Sequence, residues 1–358
     1  AIESKDYFQQ NLRDIYERGE NMKKMKNMRK IVLILTSIAL IILSLTACGK
    51  SPKVSDTTPS GHEQPEAKSY NVGICQLVQH EALDAATRGF RDALTDKLGD
   101  RVKFDEQNAN GEPDISATIC NQFVSSGVDL IMANATPALQ AAQTSTNRIP
   151  ILGTSVTDYG TALDIDDWTG KTGKNISGTS DLAPLDQQAA MLHEIFPDAK
   201  KVGIIYCSAE PNSKYQDKVI TEHLTGMGYS VKSYTFSDSN DLQTIAKAAI
   251  SESDVIYLPT DNTIASNTEI IKNIALPAKV PIIAGEEGIC SGSGGVATLS
   301  ISYYDLGYTT GEMAYEILVN GTDPATMEIQ YAPKFTKKYN PDVCDTLGIT
   351  LSSEYEAL

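Results

Sequence analysis

Three polar stretches of this chain carry residue types suited to holding a small charged molecule, and each directly follows an apolar run. Thr136 stands before Pro137, Asn212-Ser213 opens a helical pattern, and Asp261-Asn262 follows the run 255–258. A helix start presents free backbone N–H groups, so Thr136 in one half of the chain and Asn212-Ser213 in the other are candidates for gripping a carboxylate. A positive charge enclosed with it would need an acid, because a buried charge left unpaired costs about 3 to 5 kcal/mol. Asp261 is the first candidate and Asp158 the second. Thr136, Asn212, Ser213 and Asp261 each read equally as ordinary helix caps. Catalysis has no comparable constellation: the chain lacks G-x-S-x-G, G-x-x-x-x-G-K-[ST] and H-E-x-x-H. Gly292-Ser293-Gly294-Gly295 lacks the spacing of a dinucleotide loop, and the remaining histidines, His62, His193 and His223, do not sit in loops like that of His80. The expectation is a binding protein that is not an enzyme, with no cofactor and no metal.

These loops need elements to hold them, and the chain supplies the same set twice. Val72-Gly73-Ile74 returns as Val202-Gly203-Ile204, Asp129-Leu130-Ile131 as Asp254-Val255-Ile256, and Ile149-Pro150-Ile151 as Val280-Pro281-Ile282, at offsets of 130, 125 and 131 residues. Each motif opens a short apolar run bounded by turn residues. In the first half such runs predict strands over 71–77, 102–104, 128–133 and 149–154, separated by helices that begin near 83, 113 and 136. In the second half they predict strands over 201–206, 230–236, 255–258 and 281–284, with helices over 185–196, 212–227, 241–250 and 263–274. A loop over 285–295, a strand over 296–299 and a helix over 304–319 follow. The class is α/β, in two doubly wound parallel-sheet lobes with a cleft between them.

The front of the chain is an address. Lys23, Lys24, Lys26, Arg29 and Lys30 precede an apolar run from Ile31 to Leu45 that ends in Leu45-Thr46-Ala47-Cys48-Gly49. That order reads as a lipoprotein signal over 22–47, with Cys48 carrying the lipid and so attaching the protein to the membrane. Residues 1–21, mixed and acidic, read as an upstream extension, and 48–69, rich in Ser, Thr, Pro and Gly, as a flexible tether. The chain has 30 Lys and Arg against 46 Asp and Glu, and this acidity disfavours nucleic acid as a partner. Cys75, Cys120, Cys207, Cys290 and Cys344 are scattered, without metal-site spacing; Cys290 with Cys344 is the one pair considered for a bridge.

Several segments together resemble the substrate-binding lipoproteins of ABC importers, in particular the branch of type I periplasmic binding proteins that takes tryptophan and tyrosine. The carriers are Gln79-His80-Glu81-Ala82-Leu83-Asp84, Gln107-Asn108-Ala109, Asn134-Ala135-Thr136-Pro137-Ala138, Val156-Thr157-Asp158, Glu210-Pro211-Asn212-Ser213 and Pro259-Thr260-Asp261-Asn262-Thr263-Ile264-Ala265-Ser266, the last being the most specific. The resemblance implies three chain crossings between lobes, a three-strand hinge, near Gly178, Gly288 and Asp323. The first lobe is then 70–178 plus 289–323, and the second 179–288 plus 324–358. It further implies a free aromatic amino acid as cargo, and a permease and an ATPase as partners. Ligand contacts are then expected from Asn134, Ala135, Thr136, Thr157, Asp158, Glu210, Asn212, Ser213, Asp261 and Asn262. Gln79, His80 and Tyr206 are placed near the aromatic ring, with Tyr303 and Tyr304 behind, and Glu286 and Asp305 at the hinge side. The loop 158–174, with Tyr159, Asp164, Asp166, Asp167 and Trp168, is longer and more acidic than this pattern. Other readings are a branched-chain amino acid or another small solute on the same scaffold, or a surface sensor or adhesin.

Overall fold

The computed structural model describes residues 68–358, within a compact unit spanning Glu66–Leu358. The signal segment, Cys48 and most of the tether therefore lie outside the described residues. In chain order the first lobe begins β1 (Tyr70–Gln76), α1 (Glu81–Leu98), β2 (Val102–Asn108), α2 (Pro113–Ser126), β3 (Leu130–Asn134), α3 (Thr136–Ser145), β4 (Ile151–Val156), α4 (Tyr159–Ala162) and β5 (Ile176–Ser180). The chain then passes through α5 (Leu185–Ile195), β6 (Lys201–Cys207), α6 (Pro211–Gly226), β7 (Ser230–Phe236), α7 (Ser239–Glu252), β8 (Val255–Leu258), α8 (Asn262–Ala265), α9 (Thr268–Ala278), β9 (Ile282–Ala284), α10 (Glu287–Ser293) and β10 (Ala297–Ser300). It ends with α11 (Tyr303–Asn320), β11 (Gln330–Tyr331), β12 (Thr336–Tyr339), α12 (Pro341–Leu347) and β13 (Glu356–Ala357).

The strands form two sheets, ordered β11-β5-β4-β3-β1-β2 and β13-β12-β10-β9-β8-β6-β7. Every pairing is parallel except β10 with β12. The internal repeat thus has a topological counterpart, since β1, β3 and β4 occupy the places in their sheet that β6, β8 and β9 occupy in theirs. Both faces of each sheet are covered, so strand residues alternate between two cores rather than between core and water. In the first lobe Val72, Ile74, Leu130 and Met132 pack toward Phe90, Leu94 and Met313, while Cys75, Ile131 and Ala133 pack on the opposite side with Phe123 and Leu139. The five cysteines among the described residues are buried free thiols, so Cys290 and Cys344 are not bridged.

The crossings between lobes differ from those expected. β5 runs through Gly178 to Ser180, and the chain leaves the first lobe at Asp181. The second crossing falls at Ile301–Ser302 rather than near Gly288. Ala297 pairs with Ile283 and with Tyr339, and Ile289 and Cys290 fill the core around β9, so 289–300 belongs to the second lobe. The third crossing lies between β11 and β12, because Gln330 and Tyr331 pair with Thr179 and Ser180 of the first sheet. Helix α11 does return to the first lobe, where glycines admit a very close approach. A Cβ on Gly307 would strike the Ala86 carbonyl, one on Gly89 the Tyr304 carbonyl, and one on Gly311 would lie 2.6 Å from the Phe90 oxygen. The expected helix over 263–274 is two helices, broken between Ala265 and Thr268, and the expected loop 285–295 contains α10.

Candidate functional site

The C-terminal ends of the strands of both sheets face one cleft, as the ends of open parallel sheets do. From the first lobe come His80 after β1, Ala135 and Thr136 after β3, and Thr157 after β4. From the second come Glu210 after β6, Asp261 and Asn262 after β8, and Glu286 after β9. The hinge adds Asp181, just past β5, and Tyr303, the first residue of α11. The lobes meet across the cleft: His80 Nε2 lies 3.3 Å from Asn262 Oδ1.

Inside, a cavity of about 10 Å³, room for one water-sized group, is lined by His80, Asp181, Asp261, Asn262, Glu286 and Tyr303, among others. Three of these are deeply buried carboxyls. Asp181 accepts from Thr157 Oγ1 at 3.1 Å and Tyr303 OH at 3.0 Å; burial nevertheless pushes its pKa up to about 6. Glu286 caps α10 through the amides of Gly288 and Ile289 and is raised by burial to about 7. Asp261 accepts from Cys207 N and Ser213 Oγ, each at 2.7 Å, and from Ile264 N at 2.9 Å. Burial, and after it the charge of Glu210, raises Asp261 to about 8. Such acids lack a cation, and one ammonium placed among them would restore their ordinary ionisation. His80 is shifted the other way, its pKa lowered chiefly by burial.

Unpartnered polar atoms mark the same loops. Among the described residues, buried side-chain atoms without a hydrogen-bond partner include Asn134 Oδ1, Thr136 Oγ1, Ser155 Oγ and Asn212 Oδ1. Asn134 is fixed by its amide, which donates to Leu83 O at 2.8 Å and Thr87 Oγ1 at 3.0 Å. Ala135, at φ +92°, and Ser155, at φ +54°, hold conformations that L-residues rarely adopt; such outliers gather where a loop is held for function. Beside the cavity the cleft widens to a groove of about 440 Å³, with Leu77, Val78, Pro113 and Pro137 on one wall and Ala209, Thr263 and Ser266 on the other. Among the described residues no group of three or more His, Cys, Asp or Glu side chains is arranged to hold a metal.

The structure gathers His80, Asp261, Asn262 and Glu286 around the cavity, with Ser213 bonded to Asp261 and Thr157 bonded to Asp181. Glu210 is buried, but both its oxygens are taken by donors of its own lobe. Asp158 caps α4 through Thr161 N at 2.7 Å and lies outside the carboxyl cluster. Three expected contacts lie elsewhere. Gln79 is exposed and borders an outer groove between α1 and β2, beside Arg88 and Arg91. Tyr206 turns into the core of the second lobe, because its place on β6 alternates it to the face shared with Val202 and Ile204. Asp305 is exposed on the outside of the hinge, as is Lys334. Of the tyrosines placed behind the ring, Tyr303 reaches the cavity, whereas Tyr304 bonds Asp92 on the outer face of α1. Trp168, in the long acidic loop, stacks on Tyr159 at 6.4 Å between ring centres and packs on the first lobe's core. Asp181 was not singled out from the sequence; the signal that finds it is the end of β5.

Comparison with known proteins gives this geometry relatives. A family model described as ABC transporter substrate binding protein matches residues 71–357. A tyrosine-binding protein of Clostridioides difficile is 38% identical over 296 residues, covering 81% of this chain and 84% of that protein. Among solved structures, an ABC domain in complex with L-Trp from Streptococcus pneumoniae is 30% identical with a TM-score of 0.76, covering 80% of this chain and 97% of its own. A ligand-free, open substrate-binding protein with adhesive properties from Clostridium difficile is 36% identical with a TM-score of 0.63, covering 81% and 99%. In shape the chain is thus nearer the tryptophan complex, although in sequence it is nearer the open protein. With the family match spanning both lobes and the cleft between them, the chain belongs to the ABC transporter substrate-binding proteins, which bind a solute and hand it on rather than transform it.

Proposed function

We propose that the protein captures a free aromatic amino acid, tyrosine, tryptophan or phenylalanine, between its lobes and delivers it to the permease of an ABC importer powered by a separate ATPase. The observation that carries this reading is the set of three buried, cation-deficient carboxyls, Asp181, Asp261 and Glu286, around one cavity in the cleft, with unpartnered polar atoms at neighbouring strand ends and helix starts. The acids suit an ammonium. The hydroxyl of Thr136, at the start of α3, and backbone N–H groups in the first turns of α3 and α6 suit a carboxylate. The adjoining groove, with four apolar residues on one wall, has room for a ring. The tyrosine-binding and tryptophan-bound relatives supply the aromatic class. Lipid attachment at Cys48, after cleavage behind Ala47, would keep the protein at the extracytoplasmic face of the membrane, within reach of the permease.

The test is isothermal titration against all twenty amino acids after unfolding and refolding to remove carried-over solute. Saturable binding confined to tyrosine, tryptophan or phenylalanine supports the reading. Correctly refolded protein that binds none of them refutes it.

A further inference from the structure

Glu210 is one of the most heavily committed carboxylates in the protein, and none of its partners belongs to the opposite lobe. Its Oε1 accepts from Thr263 N and Thr263 Oγ1, both at 2.8 Å, and its Oε2 from Asn262 N at 3.0 Å, Asn262 Nδ2 at 2.7 Å and Asn212 Nδ2 at 3.0 Å. The side chain is only 4% exposed, so these donors replace water around it. This has a directional result. An amide has two donors on nitrogen and an acceptor on oxygen. With Nδ2 of Asn262 drawn to Glu210, its Oδ1 is turned the other way, to within 3.3 Å of His80 Nε2 in the first lobe. An oxygen there requires the histidine nitrogen to be the donor. The contact is therefore Nε2–H of His80 donating to Asn262 Oδ1, and the orientation on the Asn262 side is set by Glu210.

We propose that Glu210 is a positioning residue for closure of the cleft: it presents Asn262 Oδ1 so that His80 latches the first lobe to the second. The proposal rests on the binding reading above but concerns how the cleft stays shut rather than which solute it holds. The latch forms whenever the cleft is closed, with or without solute, and must break before a bound solute leaves. It acts on dissociation and on the balance of open and closed forms, not on encounter.

The experiment combines stopped-flow release of L-tyrosine and L-tryptophan with small-angle scattering of the protein stripped of solute. The proteins are wild type, His80→Ala, His80→Gln, Glu210→Gln and the double variant Glu210→Gln/His80→Ala. His80→Ala should raise the release rate about tenfold, the worth of one hydrogen bond, with the association rate little changed. His80→Gln, which keeps an N–H donor, should recover most of that loss. Glu210→Gln should speed release in the wild-type background and add little once His80 is gone, because coupled residues are not additive. Fully additive effects, or His80→Gln no better than His80→Ala, overturn the proposal. Should wild type bind neither amino acid, the aromatic reading fails by itself, and scattering then decides the latch. A larger radius of gyration in His80→Ala, reversed in His80→Gln, sustains it, and equal radii refute it.

Discussion

Binding of an ammonium among Asp181, Glu286 and Asp261 should expel protons. Their pKa values stand near 6, 7 and 8 because burial has removed water without supplying a cation. At pH 7 Glu286 is then about half protonated, Asp261 mostly protonated and Asp181 mostly ionised. An opposite charge in contact lowers a carboxyl pKa by about 1 to 3 units, which would ionise the three and release about one to one and a half protons per ligand. Titration calorimetry at pH 7 in phosphate, HEPES and Tris reads this directly, as the slope of apparent enthalpy against buffer ionisation enthalpy. By linkage, one released proton tightens binding about tenfold per pH unit, so affinity should rise from pH 6 to 7. The sign for stability is the reverse. Raised carboxyl pKa values mean that the solute-free folded state holds more protons than the unfolded chain. The stability these groups contribute is complete below about pH 4 and is lost as pH climbs through 6 to 8. For Asp181 alone the loss is about 3 kcal/mol. Asp181→Asn should therefore raise the solute-free melting temperature at pH 8 while weakening binding at least tenfold. Zero proton release at pH 7, with affinity flat between pH 6 and 8, would refute the assignment of the ammonium to this cluster.

Other substitutions separate binding from folding. Thr136→Val keeps the shape of a buried side chain whose hydroxyl has no internal partner, so denaturant melts should be unchanged within about 0.5 kcal/mol while affinity falls. Equal affinity would make Thr136 no more than part of a helix start. Asp261→Ala should lose both, because it strands the donors of Cys207, Ser213 and Ile264; a cost of about 1 to 3 kcal/mol is expected in urea unfolding, together with abolished binding. Gly307→Ala should be far more damaging than an ordinary surface helix change. Its Cβ would meet the Ala86 backbone, and a loss above about 4 kcal/mol or failure to fold is expected by thermal melt.

The sequence made the two lobes legible because apolar runs of strand length recur in order, and parallel sheets buried on both faces need such runs. Its errors concern where chain segments go. Residues 296–299 read correctly as a strand, but a strand does not announce its sheet; Ala297 pairs with Ile283, a choice made by register and by Ile289 and Cys290 filling the core behind it. Tyr206 was misplaced for a related reason, since composition cannot say which face of a strand meets the cleft. Asp181 carries no motif, and its role follows from β5 ending one residue earlier and from Thr157 and Tyr303 closing on it from two other segments. Helix cap and proposed ligand contact, alternatives at Asp261 in the sequence, are compatible in the structure. Asp261 caps α8 and Glu286 caps α10, and both also line the cavity. A carboxylate has about four acceptor sites, so it can hold its helix and still meet a cation. The cap fixes the acid's position within a rigid loop, which a site that reads charge requires. Cap residues at strand ends are thus where an acid is already immobilised, and burial by the opposing lobe leaves it short of a cation, as the proposed ammonium site requires.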